Sequence, residues 1–478
     1  MSALQIQAGP QGLNGAGAIE IESLLRDLMK SIDSKHLSID QQTTALERIK
    51  ILGRDISQAG PIFTRLGIST LAHYGLDSKE VVSSREALRC LANALLLNES
   101  SRQTFIDMDY AGKAAERLKA DNHDDEFLIS RILFLLTYNT NLDFGKMIDK
   151  HGLDSSVNRN IAHHARSYQT TARKHGASSP IQDMAMHETL KLLFNVTYHH
   201  PGLAVAFAPS FNHLVHILIN YEIRDPPLQP PVTLLINALL NLELKADPVT
   251  SNNKASEETR GGISLHRKLI DRLIIILDRA VRSQTEKELD QAAAPLCTLL
   301  RQLYALDQPD VQTKMKTLLL PADSEREVPL GQADSLPSRL LRMSTSSDLP
   351  MLRDNISSLL FELSDKDASK FVENIGYGYA SGYLMNHRIP IPAGPIPAAR
   401  ASDTAQFPVD KAFNPVTGQH LSAEDQTAAQ ALEMTEEEKE REAERLFVLF
   451  ERLKATGVIN VTNPVEHAIS EGRFEEVD

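Results

Sequence analysis

The residues able to do chemistry fall in a few short runs. His187-Glu188-Thr189-Leu190-Lys191 opens like the zinc-protease helix, where two histidines four apart hold the ion and the glutamate is the base. Here the fifth residue is Lys191, whose ammonium cannot replace the second ligand. His163–His164 and His199–His200 are adjacent pairs, and neighbouring helical residues point about 100° apart, a poor chelate geometry. Gly112-Lys113 and Gly145-Lys146 are followed by Ala114 and Met147 instead of the Ser or Thr of a phosphate loop, and neither has its preceding glycine. The run Gly376-Tyr377-Gly378-Tyr379-Ala380-Ser381-Gly382 has one residue too many for a dinucleotide fingerprint and no strand before it, so it reads as a helix-terminating turn. No Gly-x-Ser-x-Gly elbow occurs. The sequence therefore names no catalytic residue, no metal ligand and no cofactor.

Composition narrows the class. The net charge of −13 argues against a nucleic-acid partner. Cys90 and Cys297, the only cysteines, sit far apart in apolar helical runs and read as buried, inert thiols in a reducing compartment. No run approaches the ~18 consecutive apolar residues of a membrane span, and the start MSALQIQAGPQGLNGAGA lacks a secretion signal's charged and apolar regions. The expectation is a cytoplasmic monomer without a transmembrane segment.

The elements come from one recurring stretch. LKLLFNVTY at 190–198 is an apolar run interrupted by Asn195, and variants occur at 88–96, 129–137, 232–240 and 359–364. Aligned, they superpose Asn93, Phe134, Asn195, Asn237 and Glu362, and two of the spacings are close to 40 residues. A period of roughly 40–47 residues is that of armadillo and HEAT arrays, whose two- or three-helix units stack because none can bury its own apolar face alone. The fold expected is all-α: an armadillo/HEAT-like superhelical solenoid over 19–385, after a flexible tail at 1–18. Within it, 154–182 reads as an insert between repeats, 247–262 as a polar loop and 225–231 as a stiff proline turn. Lys50 and Arg54, four apart, are expected on one helix face.

From 386 to 433 the chain is rich in Gly and Pro and reads as a disordered linker. A docking helix restarts in 434–478, where Thr435 and Glu438 fit a capping box and Glu436, Glu437 and Glu440 suit the helix dipole. Leu446, Leu449, Phe450 and Leu453 then form an apolar stripe, closed by Gly457.

Several stretches resemble the synembryn family, in a fungal-like form. They are RCLANALLLN at 89–98, SRILFLLTYN at 130–139, ETLKLLFNVTY at 188–198, GYGYASGYL at 376–384, NPVTG at 414–418 and MTEEEKEREAERLFVLFERL at 434–453. The resemblance implies a cytosolic chaperone for Gα subunits of heterotrimeric G proteins that is also a non-receptor guanine nucleotide exchange factor. It implies that nucleotide belongs to Gα and not to this chain, and that Gα can bring the chain to the cell cortex or plasma membrane. Carried onto this sequence, it places Lys50, Arg54, Asn98, Phe134, Phe194, Tyr198, Arg339 and Arg342 in a groove for the last Gα helix. Leu446, Leu449, Phe450 and Leu453 would contact the Ras-like domain. Lys50 stands where the family often has Arg, which loses a forked contact but keeps the charge. The acidic, phosphorylatable tract that animal members carry before NPVTG is missing, although Ser402 and Thr404 are present. The alternative is an armadillo adaptor for another helical peptide. Adaptors for extended peptides lean on Trp and Asn ladders, and this chain has no tryptophan.

Overall fold

The computed structural model describes residues 15–168, 179–242, 257–306, 309–390, 414, 416–421, 423 and 445, and every helix found there is part of an all-α architecture. The chain divides into two compact units, one of 1–319 with 342–366 and one of 320–341 with 367–478.

The first unit opens with α1 (Ala16–Ser34) and α2 (Ile39–Leu52) and then repeats a short-short-long pattern. The repeats are α3 (Gly60–Phe63), α4 (Arg65–Ala72) and α5 (Val81–Leu97); then α6 (Glu99–Asp107), α7 (Tyr110–Arg117) and α8 (His123–Leu135); then α9 (Phe144–His151), α10 (Leu153–Ser167) and α11 (Pro180–His199). A 3-10 turn at Pro201–Phe207 leads into α12 (Ser210–Asn220) and α13 (Val232–Leu240). The unit continues with α14 (Glu257–Ser283), α15 (Glu286–Ala292), α16 (Ala294–Leu306) and α17 (Pro309–Leu319). The division between units falls within α18 (Leu336–Ser344), and α19 (Pro350–Leu363) completes the first.

The long helix of each repeat packs on the next, α2 on α5, then α8, α11, α13, α16 and α19 in turn. A second row, α7 on α10, α10 on α12 and α12 on α14, lies beside it. This is the stacking expected of units that cannot close a core singly. Leu88, Leu91, Leu95, Ile129, Ile132, Leu133, Leu192, Leu193, Leu235 and Leu239 fill the joints of the ladder at 1% exposure or less. Each is worth about 2–3 kcal/mol relative to exposure.

Local signals set the helix ends. Ser38 and Gln41 form a capping box on α2, and Asn122 accepts from the amides of Asp124 and Asp125 at the start of α8. Ser179 caps α11, with Pro180 at its first position, where a missing N–H costs nothing.

Several expectations change. Residues 153–167 are a helix: Leu153, Val157, Ile161 and Ala165 recur every fourth position and are buried. That stripe is easily overlooked among the histidines, asparagines and arginines around it. The polar stretch ending at 262 is already helical from Glu257. The chain breaks between α6 and α7 at Met108–Asp109, where Asp109 has φ 63°. Lys50 and Arg54 do not share a helix face, because α2 stops at Leu52 and Gly53 turns its amide back to the carbonyl of Ile49.

In the second unit, Gly376 both ends α20 (Ala368–Ile375) and begins α21 (Tyr377–Asn386), with φ 80°. The glycine-rich run is thus a helix start as well as a stop, and it buries Tyr377, Ala380 and Leu384. Asn414 and 416–421, expected inside a linker, are hydrogen-bonded into this unit. Leu330 donates to the Thr417 carbonyl at 3.0 Å, Gly378 to Val416 at 3.2 Å and His420 to Arg326 at 2.8 Å. The buried Arg326 guanidinium donates to the carbonyls of Gly418 (2.9 Å), Glu373 (2.8 Å) and Asn374 (3.1 Å). The last two are orphan acceptors at the end of α20, so one side chain caps a helix and holds a loop. The apolar stripe Leu446, Leu449, Phe450 and Leu453 lies outside the described residues.

Candidate functional site

The ladder helices are buried on most of their circumference and leave one narrow line open. On α11 that line is His187, Lys191, Phe194 and Tyr198, and on α8 it is Phe127, Arg131 and Phe134, with Tyr138 three residues past the helix end. The α11 residues follow i, i+4, i+7, i+11 and those of α8 the first three of these positions, the spacing that keeps residues on one face of a helix. Residue types match as well: a cation in the middle and aromatics toward the C-terminal end.

The aromatic end is one contiguous cluster. Phe194 and Tyr198 stack at 5.6 Å with their planes 23° apart, while Phe134 meets Tyr138 edge-on at 5.3 Å. His199 lies 6.4 Å from Tyr138 and 5.2 Å from Tyr198, and so joins the two helices. Tyr198 is 61% exposed, and Phe134 and Phe194 are half-buried. Aromatic pairs of this geometry prefer such offset or edge contacts, yet much of their apolar area here still faces water.

The cations sit on sunken carboxylates. Glu188 is 4% exposed and takes Lys191 at 3.0 Å, one turn along α11, and Arg131 at 3.3 Å from α8. Glu86 repeats the arrangement, with Arg89 one turn on at 2.7 Å and Lys50 reaching from α2 at 2.5 Å. Farther along the ladder Arg301 on α16 faces Glu362 on α19 at 3.9 Å. In each case the acid lies deeper than its basic partners, 6% against 33% and 35% for Glu188, Arg131 and Lys191. A face built this way presents guanidinium and ammonium groups to solvent while their counter-charges stay underneath. Lys191 also lies 5.9 Å over the Phe134 ring, a contact worth about 0.5–1 kcal/mol when exposed.

The other sequence-selected residues are more dispersed. Arg54 is exposed beyond the end of α2. Asn98 is a helix cap, its side chain accepting from the Ser101 amide at 3.0 Å. Asn195 turns away from the open line and donates to Thr137 at 2.8 Å, clamping α11 to the end of α8. Arg342 is exposed, and Arg339 belongs to the second unit, where it pairs with Asp334. The repeating carboxylates Glu86 and Glu188 escaped the sequence reading. The signal was present, since each stands seven residues before the aligned Asn93 or Asn195.

Comparison with known proteins decides the family. Residues 45–473 match the Ric8 family, described as guanine nucleotide exchange factor synembryn. The chain belongs to this family. The synembryn relatives include a Ric-8A chaperone of Macaca fascicularis, 26% identical over 464 residues that span 91% of this chain and 85% of that protein. A Ric-8A chaperone of Xenopus tropicalis is 26% identical, with 97% and 88% covered. A synembryn-like chaperone of Schizosaccharomyces pombe is 25% identical, with 96% and 88% covered. Among solved structures an engineered protein overlays 60% of this chain at a TM-score of 0.39 and 16% identity. The synembryn assignment makes this chain a guanine nucleotide exchange factor and chaperone with an all-α fold. Among the described residues no single helix is long and apolar enough to cross a membrane.

Proposed function

We propose that the open line of the ladder grips the C-terminal helix of a Gα subunit, with Phe134, Phe194 and Tyr198 as apolar anchors. Lys50, Arg89, Arg131 and Lys191 would meet the acidic groups of that helix. The observation that carries this reading is the joint register of aromatics and cations on α8 and α11. An amphipathic helix laid across adjacent ladder helices would meet aromatic anchors at one end and positive charge alongside, the usual terms of helix-in-groove recognition.

Exchange then follows from differential binding. The Gα helix can enter the groove only after leaving its packing on the nucleotide domain, so gripping it favours the conformation without GDP. A ligand shifts an equilibrium only by its preference between states, and GTP reverses the grip by favouring the other state. The same contact on an unfinished Gα is chaperoning. In this scheme the chain supplies no covalent chemistry and binds no nucleotide itself, acting in the cytoplasm and reaching the membrane only through Gα. The segment with Leu446, Leu449, Phe450 and Leu453 would add a second contact on the Ras-like domain.

The test is GDP release from purified Gα·GDP with and without this chain. Faster release, with excess GTP dissociating the complex, supports the reading. Unchanged release with every Gα of the source organism removes the exchange function.

A further inference from the structure

We propose that His123, Glu126 and His164 form a binding site for one divalent ion of the zinc class. His123 and Glu126 are three apart in the first turn of α8, and His164 comes from the end of α10, one repeat later. His164 Nε2 lies 2.9 Å from Glu126 Oε1, and His123 Nδ1 lies 3.3 Å from Oε2. All three ligating atoms fall within 4.8 Å of one another. A tetrahedral zinc ion with bonds of 2.0–2.2 Å holds its ligand atoms about 3.3 Å apart. Small side-chain rotations therefore admit the ion.

Neutralising a buried carboxylate does not account for this arrangement. Glu126 is satisfied by His164 and by the Thr189 hydroxyl, which donates to Oε1 at 2.7 Å. His123 is surplus to that need, yet its ring stacks on His164 at 5.4 Å and its nitrogen points at the second oxygen. Thr189 lies 3.1 Å from Ser130, a pair of hydroxyls that fixes the carboxylate as outer hydrogen bonds do in metal sites.

Access and chemistry agree. The side chains of Glu126 and His164 are 5% and 2% exposed, whereas that of His123 is 39% exposed and leaves an open side for entry and for a water ligand. Two imidazoles and one carboxylate suit zinc and its transition-metal neighbours better than magnesium or calcium, which prefer oxygen ligands. The ion would tie α8 to α10, next to the joint that α8 makes with α11.

The experiment uses the full chain dialysed against chelator and titrated with zinc chloride by calorimetry. Cobalt chloride provides a visible spectrum of the coordination. One zinc ion per chain is expected, with a raised melting temperature. His123→Ala should weaken zinc binding at least tenfold and abolish the tetrahedral cobalt bands. Because Glu126 keeps His164 and Thr189 in that variant, its helical circular dichroism should match the parent. Glu126→Gln should lose the ion likewise. If the parent binds no more zinc than His123→Ala, or if both give the same cobalt spectrum, the site is overturned.

Discussion

Phe194 and Tyr198 stand one turn apart on α11 with their rings stacked at 5.6 Å, and Tyr198 keeps 61% of its surface exposed. In the proposed function this pair would anchor the partner helix. Truncating such aromatics commonly costs ~2 kcal/mol or more of binding. Phe194→Ala with Tyr198→Ala should therefore weaken Gα binding at least about tenfold and barely move the melting temperature. Leu193→Ala, one residue away and fully buried, should do the reverse, costing about 2–5 kcal/mol of stability. Binding assays and thermal melts on both variants check this pair. A large fall in melting temperature for the aromatic double variant would assign Phe194 and Tyr198 to the core.

Glu188 is held by two cations from two helices, so losing one differs from losing both. Arg131→Ala and Lys191→Ala singly should each cost under about 1 kcal/mol, since the remaining partner still pairs with the carboxylate. The double variant should cost more than the sum, by about 1–2 kcal/mol, because a buried acceptor then loses its partners. Urea melts of the four proteins measure the coupling. A strictly additive result would mean that solvent reaches Glu188 freely.

What the sequence revealed depended on where the partner of each residue lay. α11 was legible through its local apolar period, although its start, capped by Ser179 with Pro180 at the first position, fell inside the stretch read as an insert. α10 was not, because buried Asn160 and His164 look like surface residues until their environment is known. In sequence His164 stands beside His163, which pairs with Asp121, while its companions in space, His123 and Glu126, stand one repeat earlier. Phe134, Phe194 and Tyr198 came from a family resemblance, whereas the pairs Lys50–Glu86 and Arg131–Glu188 join adjacent repeats and meet only after stacking. Asn195 shows the converse. Its conspicuous position within an apolar run marked a helix–helix clamp and not the open face.

Stability should fall on mild acidification. Burial lowers the pKa values of His187 and His213 below the usual 6.5, so the folded state resists protonating them. A group whose folded pKa is depressed contributes stability that is complete above its unfolded pKa and is lost as pH falls through the folded one. The melting temperature should thus hold near pH 7 and decline from about 6.5 downward. His187→Gln should flatten the decline. A variant whose profile still overlays the parent would show that His187 does not carry it.

Gly418 has φ 69°, and a Cβ there would come within 2.4 Å of Leu330 Cδ1. Gly418→Ala should therefore release the loop that Arg326 clamps, and Arg326→Met should do the same by removing three donors. Hydrogen exchange of the Leu330, Gly378 and His420 amides should accelerate at least tenfold in both variants. Amides of α11 should be unaffected. Unchanged exchange at Leu330 and His420 would mean that the loop holds without the clamp.

The clamp also changes how a C-terminal truncation must be designed. Cutting after Asp403 removes the apolar stripe together with Asn414–Gly418, and so strips Arg326 of its loop partner. Cutting after Gln426 keeps every described contact of that loop and removes only the segment carrying Leu446, Leu449, Phe450 and Leu453. From Leu421, beside the clamp, about 14 residues lead to Thr435, and a chain of that length spans at most ~50 Å. The proposed second contact on Gα would thus be tethered to the loop that Arg326 holds, and tethering makes its loss cost more than its own affinity. The shorter protein ending at Gln426 should bind an isolated Gα C-terminal helix as well as the full chain does. It should lose most of its exchange and folding activity on whole Gα, by about tenfold or more. The Asp403 cut should show that loss and, in addition, faster hydrogen exchange at Leu330. If the Gln426 cut stimulated GDP release as fully as the intact chain, the apolar stripe would have no part in gripping Gα.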